Sequence, residues 1–524
     1  MLYGSLLLAV AIRAAHVLAA DFPLNDGGLF YRMTQEVQEA GFRLPAFTDY
    51  NRAQIPFAYS PAAFYVTAAI HAVTGISLFS LFRFLPLLAT TLVVFAFYRL
   101  ARDLLDDRDA VLASVVAFAV IPRGFSWLLM GGGLTRSFGL LFALVGLHQA
   151  YRLYTARSWR YAATTAAACA LTVLTHISTA AFLAFSIAIL FAFYGRHRRG
   201  VAASAVVVVA TVLLTAPWWW TVIAEHGVAP FLAARGSSGS VFSDIDNRYT
   251  ALVRLAQFNL LTTGEPLFPL VGVLAVLGSL TALRPGRLLL PVWWGAITLL
   301  DTRAGPTYAA IPAALLAGYG VVDVIVPALR RVYGSAAISL SGVARAPGAP
   351  GILRFVPAAI LAFFVLFGTA SALSRSPDYG AGDGPGLTAL ARADRSALGW
   401  VAQHTPPDAR FVVVTGEAWY LDKVAEWFPA LAGRRSVSTV QGLEWEPGFE
   451  GRVQQNIGLQ IGCGTADAAC LARWGERAGQ QFSHVYVWKR PYGECCTPLI
   501  AALRTDPGYT VLYDGPGALI AQRR

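Results

Sequence analysis

Apolar runs of nearly twenty residues recur from Met1 to about Thr369, and that repetition constrains the chain more than any other feature. A helix needs about 20 apolar residues to cross the hydrocarbon core of a bilayer. One such run can be a buried core helix, but a water-soluble protein of this length cannot enclose a long series of them. Composition agrees. Of 524 residues, 56% are hydrophobic and 14% charged, with mean hydropathy +0.54, whereas soluble domains carry about 25% charge. The expected fold class is an α-helical polytopic membrane protein followed by a C-terminal α/β domain.

The net charge of +11 and pI near 9.6 would suggest nucleic acid in a soluble chain. Here the basic residues, almost all Arg, sit in short connectors between apolar runs and act as an orientation signal. The bilayer is therefore the expected partner, and no nucleic acid is expected. The connectors hold Arg99/Arg102/Arg108, Arg152/Arg157/Arg160, Arg196/Arg198/Arg199, Arg284/Arg287 and Arg330/Arg331/Arg345. All of them fall on the cytoplasmic side only if residues 61–77 lie along the membrane surface instead of crossing. The spans then read 1–20, 79–98, 110–124, 134–151, 161–176, 177–194, 201–220, 267–283, 288–300, 307–326 and 354–373. This gives about eleven crossings in the cell membrane, with a cytoplasmic N-terminus and an extracytoplasmic C-terminus. Met1–Ala20 lacks a basic leader and contains Arg13, so it reads as a retained helix and not a cleaved signal.

Cysteine usage points the same way. Cys169 lies in an apolar run, whereas Cys463, Cys470, Cys495 and Cys496 are confined to the C-terminal part. With no CxxC pair and little His nearby, disulfides in an oxidising compartment are expected in preference to zinc, with three connectivities open.

The chain divides into a transmembrane part, 1–373, and an extracytoplasmic part, 374–524, with a Gly-rich hinge at Gly380–Gly386. The first external loop covers 21–78. Within it Leu29, Phe30, Met33, Val37 and Ala40 share a helical face opposite Arg32, Gln35, Glu36 and Glu39, as in a helix lying among lipid headgroups. Beyond residue 374 helix and strand patterns alternate: helix over Ala389–His404, strand over Phe411–Thr415, helix over Trp419–Phe428, strand over Ser436–Val440. A helix near Ala466–Ala478 and strands at His484–Trp488 and Thr510–Tyr513 follow.

An outward-facing membrane enzyme has no ATP and needs a preactivated donor. Asp26, just past the first span, is the best-placed acid. Position alone leaves it open between a turn-forming Asp in Asn25-Asp26-Gly27-Gly28 and a catalytic base. Arg303 and His176 lie at other outer span ends, and Arg123 and Arg136 flank Gly131-Gly132-Gly133. Arg303 can fork onto Asp301 or onto a phosphate, Arg136 can snorkel, and His176 can be structural. Asp244-Ile245-Asp246 is a weak candidate for a divalent cation, Mg or Mn, against an ordinary turn. Trp218-Trp219-Trp220 fits an interfacial aromatic belt.

The order of these segments resembles the GT-C glycosyltransferases: oligosaccharyltransferase catalytic subunits, protein O-mannosyltransferases and aminoarabinose transferases. A first helix is followed by Asn25-Asp26-Gly27-Gly28-Leu29-Phe30-Tyr31-Arg32, then Gly41-Phe42-Arg43-Leu44-Pro45, then Tyr59-Ser60-Pro61-Ala62-Ala63-Phe64-Tyr65. Leu174-Thr175-His176 and Asp301-Thr302-Arg303 are also similar to stretches of that superfamily. The resemblance implies a glycosyltransferase that moves a sugar from a polyprenyl-phosphate-linked donor to an extracytoplasmic protein, lipid or glycan by an inverting displacement. Asp26 would be the base. Arg303, His176, Arg136, Arg123 and Tyr59 would bind the lipid phosphate and sugar. Departures are specific: Arg123–Gly133 contains no acid where oligosaccharyltransferases carry a metal-binding motif, no Trp-Trp-Asp-Tyr-Gly signature occurs, and Gly27 follows Asp26 where O-mannosyltransferases have Glu. A transporter or flippase of lipid-linked saccharide is the rival reading, but such proteins place ionisable groups within spans. A non-catalytic envelope assembly protein is the third.

Overall fold

Among the described residues fourteen helices occupy the first three hundred positions, because apolar runs can satisfy their backbone groups only internally when water is absent. The computed structural model describes residues 2–236, 245–284, 286–301, 304–333, 356–374, 387–490 and 495–524. The chain opens with α1 (Leu2–Leu18), α2 (Gly28–Glu39), a small ribbon of β1 (Phe47–Thr48) and β2 (Ile55–Pro56), and α3 (Ala62–Thr74). Then come α4 (Leu78–Leu104), α5 (Arg108–Val120), α6 (Ser126–Leu129), α7 (Gly133–Ala156), α8 (Arg160–Thr175), α9 (Ile177–Leu190) and α10 (Arg198–His226). They are followed by α11 (Ala229–Gly236), α12 (Ile245–Ala256), α13 (Leu270–Thr281), α14 (Leu289–Leu300), α15 (Gly305–Tyr319), α16 (Val326–Tyr333) and α17 (Val356–Leu373).

All fifteen residues of α15 are buried, as expected for a helix that is apolar on every face. Glycines let its neighbours approach: a Cβ on Gly318 would lie 2.4 Å from the Ala110 carbonyl oxygen of α5. Other helices turn apolar side chains outward. Val208 and Leu213 on α10 are 61% and 66% exposed, and Leu366 on α17 is 68% exposed. Such surfaces are stable only against lipid, and the protein is a multi-pass membrane protein. Four helical stretches among the described residues are long and apolar enough to cross a bilayer: Leu78–Leu104, Ile177–Gly195, Arg198–His226 and Gly305–Val332. A fifth is reached if the bent pair Arg108–Val120 and Pro122–Leu129 is one span. Each of the eleven expected segments contains a helix, but α1, α13, α14 and the apolar part of α17 are shorter than a full crossing.

The bend after α5, 81°, has two causes. Pro122 has no N–H to continue the ladder and keeps Ile121 extended, at φ −67° and ψ 112°. The carbonyls thus left open at the end of α5 need donors. Arg13 of α1, fully buried, supplies one: Nη1 donates to Ala119 O and Ala9 O, each at 3.1 Å. A cation suits a helix C-terminus. The Phe125 ring lies 4.8 Å from the same guanidinium.

The amphipathic α2 departs from expectation. Leu29, Met33 and Val37 are 4%, 0% and 0% exposed, because their face meets α3 and the segment around Val440, Leu443 and Trp445. Its apolar stripe covers protein and not headgroups. The same periodicity arises in either setting, since both bury one face.

Residues 387–524 centre on a five-stranded sheet. After α18 (Arg392–His404) come β3 (Arg410–Val414), α19 (Lys423–Ala432), β4 (Arg435–Ser436), α20 (Phe449–Gly462), α21 (Ala469–Ala478), β5 (His484–Trp488), α22 (Thr497–Thr505), β6 (Tyr509–Asp514) and β7 (Ala518–Arg523). The strand order is β4-β3-β5-β7-β6. β3 pairs in parallel with β4 and β5, while β7 runs antiparallel between β5 and β6. Val412 and Val414 face one core with Leu459 and Leu471, and Phe411 and Val413 face another with Leu398 and Trp427. Strands covered on both faces read as unbroken apolar runs. The expected strand over Ser436–Val440 shrinks to two residues. Ser436 Oγ accepts the Thr439 N–H at 3.1 Å, and Ser438 Oγ donates to Val413 O at 3.1 Å, so side chains replace the ladder. Of the three cysteine connectivities, the structure has Cys463–Cys470 and Cys495–Cys496.

Replacing Arg13 by Met leaves the Ala119 carbonyl buried without its donor. Thermal unfolding in detergent should register a loss of about 1–3 kcal/mol. An unchanged melting temperature would show that the α5 end is held by something else.

Candidate active site

Three remote segments meet around Asp26. The chain leaves α1 through Leu24, which bridges Ala389 in antiparallel fashion, while Asn25 N–H donates to Thr388 O at 2.7 Å. From the second side, Gly131 N–H donates to Leu24 O at 2.8 Å and Gly132 N–H to Asp26 Oδ1 at 3.0 Å. From the third, Trp427 Nε1 donates to Asn25 O at 2.9 Å, and Glu426 Oε1 accepts the Gly27 N–H at 3.0 Å. Glycines make the approach close enough. A Cβ on Gly28 would lie 2.5 Å from Glu426 O, and one on Gly132 would lie 2.5 Å from Asp26 Oδ2. Gly27 also has φ 134°, a backbone that other residues rarely adopt.

Asp26 opens onto a cavity of about 620 Å³, within the range of sites for small organic ligands. Arg136, near the start of α7, donates to Asp26 Oδ2 from Nη2 at 3.4 Å and lies over the Trp127 ring at 5.1 Å. Its Nη1 and the Trp127 Nε1 are buried donors without a hydrogen bond among the described residues. His176 caps α9, with Nδ1 accepting the Thr179 N–H at 3.2 Å. That leaves the ring proton on Nε2. Thr179 Oγ1 continues to Tyr308 Oη at 3.0 Å, and all three line the cavity.

A further wall comes from the segment between β4 and α20, from the start of α19 and from the segment around Tyr59. Tyr59 O–H donates to the Glu444 carboxylate, and its ring packs on Trp445 with centroids 4.8 Å apart. Burial, then the Glu444 charge, pushes the Tyr59 phenol well above its usual range. Glu444 Oε2 and Gln441 Oε1 are buried acceptors without a partner among the described residues. Asp422 caps α19 through Ala425 N–H at 2.9 Å, and burial pushes its carboxyl up to about 7. Burial, then the neighbouring Asp26 charge, also holds Glu426 well above the ordinary value of 4.5.

The structure thus brings Asp26, Arg136, His176 and Tyr59 to one cavity. Arg123 does not join them. The bend after α5 turns it toward the Gly264 turn, where its Cγ lies 2.7 Å from the position a Cβ on Gly264 would occupy, and it is 6% exposed. Arg303 and Asp244 lie outside the described residues. Asp301, two positions before Arg303, lines the cavity, and Asp246 falls in the first turn of α12. Sequence reasoning missed Glu426, Glu444, Gln441 and Trp127. Glu426 did leave a signal: it is an acid within the apolar stretch Val424-Ala425-Glu426-Trp427-Phe428 of a helix.

The fold has counterparts among solved structures. The chain superimposes on the archaeal oligosaccharyltransferase AglB from Archaeoglobus fulgidus, in complex with an inhibitory peptide and a dolichol-phosphate, with TM-score 0.56 and 14% identity over 93% of this chain and 69% of that one. ArnT from Cupriavidus metallidurans, bound to undecaprenyl phosphate, matches with TM-score 0.52 and 16% identity over 99% and 98%. The chain has a GT-C fold. A third GT-C structure, the arabinofuranosyltransferase AftD from Mycobacteria, matches 99% of this chain over 41% of its own length, with TM-score 0.56 and 15% identity. No protein-family model matches the sequence, and no curated protein matches it significantly.

The buried Glu426 carboxyl makes a pH prediction. Its folded form holds a proton that the unfolded chain releases above about 4.3, so stability falls as pH rises from there toward the raised folded value. Glu426→Gln keeps an acceptor for Gly27 N–H but removes this proton linkage. Between about pH 5 and 8 the melting temperature of the wild type should decline more steeply than that of the variant. Parallel curves would contradict the assignment.

Proposed function

We propose that this protein transfers a sugar from a polyprenyl-phosphate-linked donor to an acceptor hydroxyl outside the cytoplasm, with Asp26 as the general base. The observation that carries this reading is the Asp26–Arg136 pair at the cavity wall, with Arg136 Nη1 and Trp127 Nε1 beside it as uncommitted donors. Such donors suit phosphate oxygens. Two solved GT-C relatives were bound to dolichol-phosphate and undecaprenyl phosphate, which supports a polyprenyl phosphate here.

In the proposed step the acceptor oxygen attacks the anomeric carbon and its proton passes to Asp26. The bond from that carbon to the phosphate oxygen breaks, and its electron pair leaves with the polyprenyl phosphate. Positive charge gathers on the sugar as in other glycosyl transfers. The departing phosphate is met by Arg136 and Trp127, with the His176 Nε2 proton as a further donor. Arg303, close in sequence to the cavity-lining Asp301, is proposed for the same role. Inversion at the anomeric carbon follows from a single displacement.

A resident divalent cation does not fit the described residues. Both oxygens of Asp26 are engaged, one by a peptide N–H and one by a guanidinium. Among the described residues no three His, Cys, Asp or Glu side chains gather as a metal site.

The orientation proposed from the Arg connectors, N-terminus inside and C-terminal part outside, places this cavity on the outer side. The two disulfides support that placement.

Asp26→Asn should lower sugar transfer by roughly 10²–10⁴-fold in membranes supplied with lipid-linked donor, without unfolding the protein. Gly132→Ala, whose Cβ would fall 2.5 Å from Asp26 Oδ2, should displace the base and cost about 10²-fold. Full activity in Asp26→Asn would remove Asp26 from the mechanism.

A further inference from the structure

The cavity is chemically polarised. At the Arg136 end the uncommitted buried polar atoms are donors, Arg136 Nη1 and Trp127 Nε1. At the Glu444 end they are two acceptors, Glu444 Oε2 and Gln441 Oε1, beside one indole donor, Trp445 Nε1. The remaining atoms of those two side chains are already committed, Glu444 Oε1 to the Tyr59 hydroxyl and Gln441 Nε2 to Trp419 O at 2.6 Å. Both side chains sit three residues apart on one loop, and all of these residues line the same cavity.

An uncommitted buried acceptor destabilises a protein unless a ligand supplies a proton. A phosphate cannot do so, because it brings only acceptors and its charge opposes that of Glu444. A single serine or threonine side chain brings one hydroxyl. Two accepting side chains three positions apart, with the Trp445 indole N–H as a donor beside them, suit a run of adjacent hydroxyls, which both donate and accept, and the indoles of Trp419 and Trp445 line the cavity as apolar surfaces suited to the C–H faces of a sugar ring.

We infer that the Gln441–Trp445 end of the cavity is a saccharide subsite that holds the acceptor through its hydroxyl hydrogens, with Glu444 and Gln441 as the accepting groups. This rests on the transfer reading above and narrows its acceptor to a glycan. It also fixes the direction of the reactants: lipid phosphate toward Arg136, acceptor sugar toward Glu444, Asp26 on the wall that both approach.

The test reverses the polarity of one end. In Glu444→Gln the amide oxygen can still accept from Tyr59, which leaves an NH₂ donor where Oε2 accepted. The full chain in lipid nanodiscs is titrated with undecaprenyl phosphate, with a panel of methyl-glycoside tetrasaccharides (gluco, manno, galacto and arabino) and with the peptide Gly-Ser-Thr-Ser-Gly, following tryptophan fluorescence. At least one tetrasaccharide should bind the wild type, and Glu444→Gln should weaken it by about tenfold or more while undecaprenyl phosphate binding stays unchanged. Arg136→Gln should do the opposite. The inference is overturned if no tetrasaccharide binds, if the peptide binds with the same Glu444 dependence, or if Glu444→Gln weakens undecaprenyl phosphate instead. Asp26→Asn separates this from the catalytic reading. It should leave the tetrasaccharide curve in place, and if it also leaves transfer intact, the base assignment fails while the subsite stands.

Discussion

The arrangement depends on a contact between residues about four hundred positions apart. Trp427 holds the Asn25 carbonyl through its indole N–H, and Glu426 beside it takes the Gly27 N–H. Between those two bonds lies Asp26. With Gly131 and Gly132 closing from α7's side, the acid is gripped by backbone on both flanks, and its carboxylate has little freedom except toward the cavity. For the base proposed here, preorganisation of this kind matters because a reacting group displaced by an ångström loses most of its effect. The Trp427 ring is fully buried and also packs edge-on to Phe22 with centroids 4.8 Å apart, so the grip is anchored in a core and not in a mobile surface loop.

Burying carboxylates beside such a site has a second effect. Glu426 and Asp422 are both pushed toward their neutral forms by burial. A neutral Glu426 places no second negative charge next to Asp26, so the Arg136 guanidinium is not shared between two anions. The membrane part supplies the cation, its hydrogen-bonding His176–Thr179–Tyr308 series and the bent α5 end. The sheet-bearing part supplies the acidic and aromatic wall. Neither half alone encloses the cavity.

How much of this could be read from the chain depended on whether the information was local. Apolar length and 3.6-residue periodicity are local, so α4, α10 and α15 were legible, as were β3 and β5 with their unbroken apolar runs. Asp26 was legible because its position just after a span is a sequence fact. The glycines of Asn25-Asp26-Gly27-Gly28 and Gly131-Gly132-Gly133 were visible as turn formers, but their real task, admitting another backbone, needs the partner to be known. Arg123 and Arg136 looked alike as flanks of one loop and parted company only because Pro122 bends the chain. Glu444 and Gln441 have no periodic signature, and only folding shows that both line one cavity. α20, α22 and β7 were missed because their patterns are weak and β7 is completed by pairing with β5 and β6.

The grip on Asp26 also bears on when such a protein becomes competent. Glu426 and Trp427 enter the chain four hundred residues after Asp26, so a nascent chain already threaded into the bilayer still lacks the groups that shape its own centre. The wall around Asp26 is complete only once synthesis has passed α19 and that helix has docked back onto the first loop.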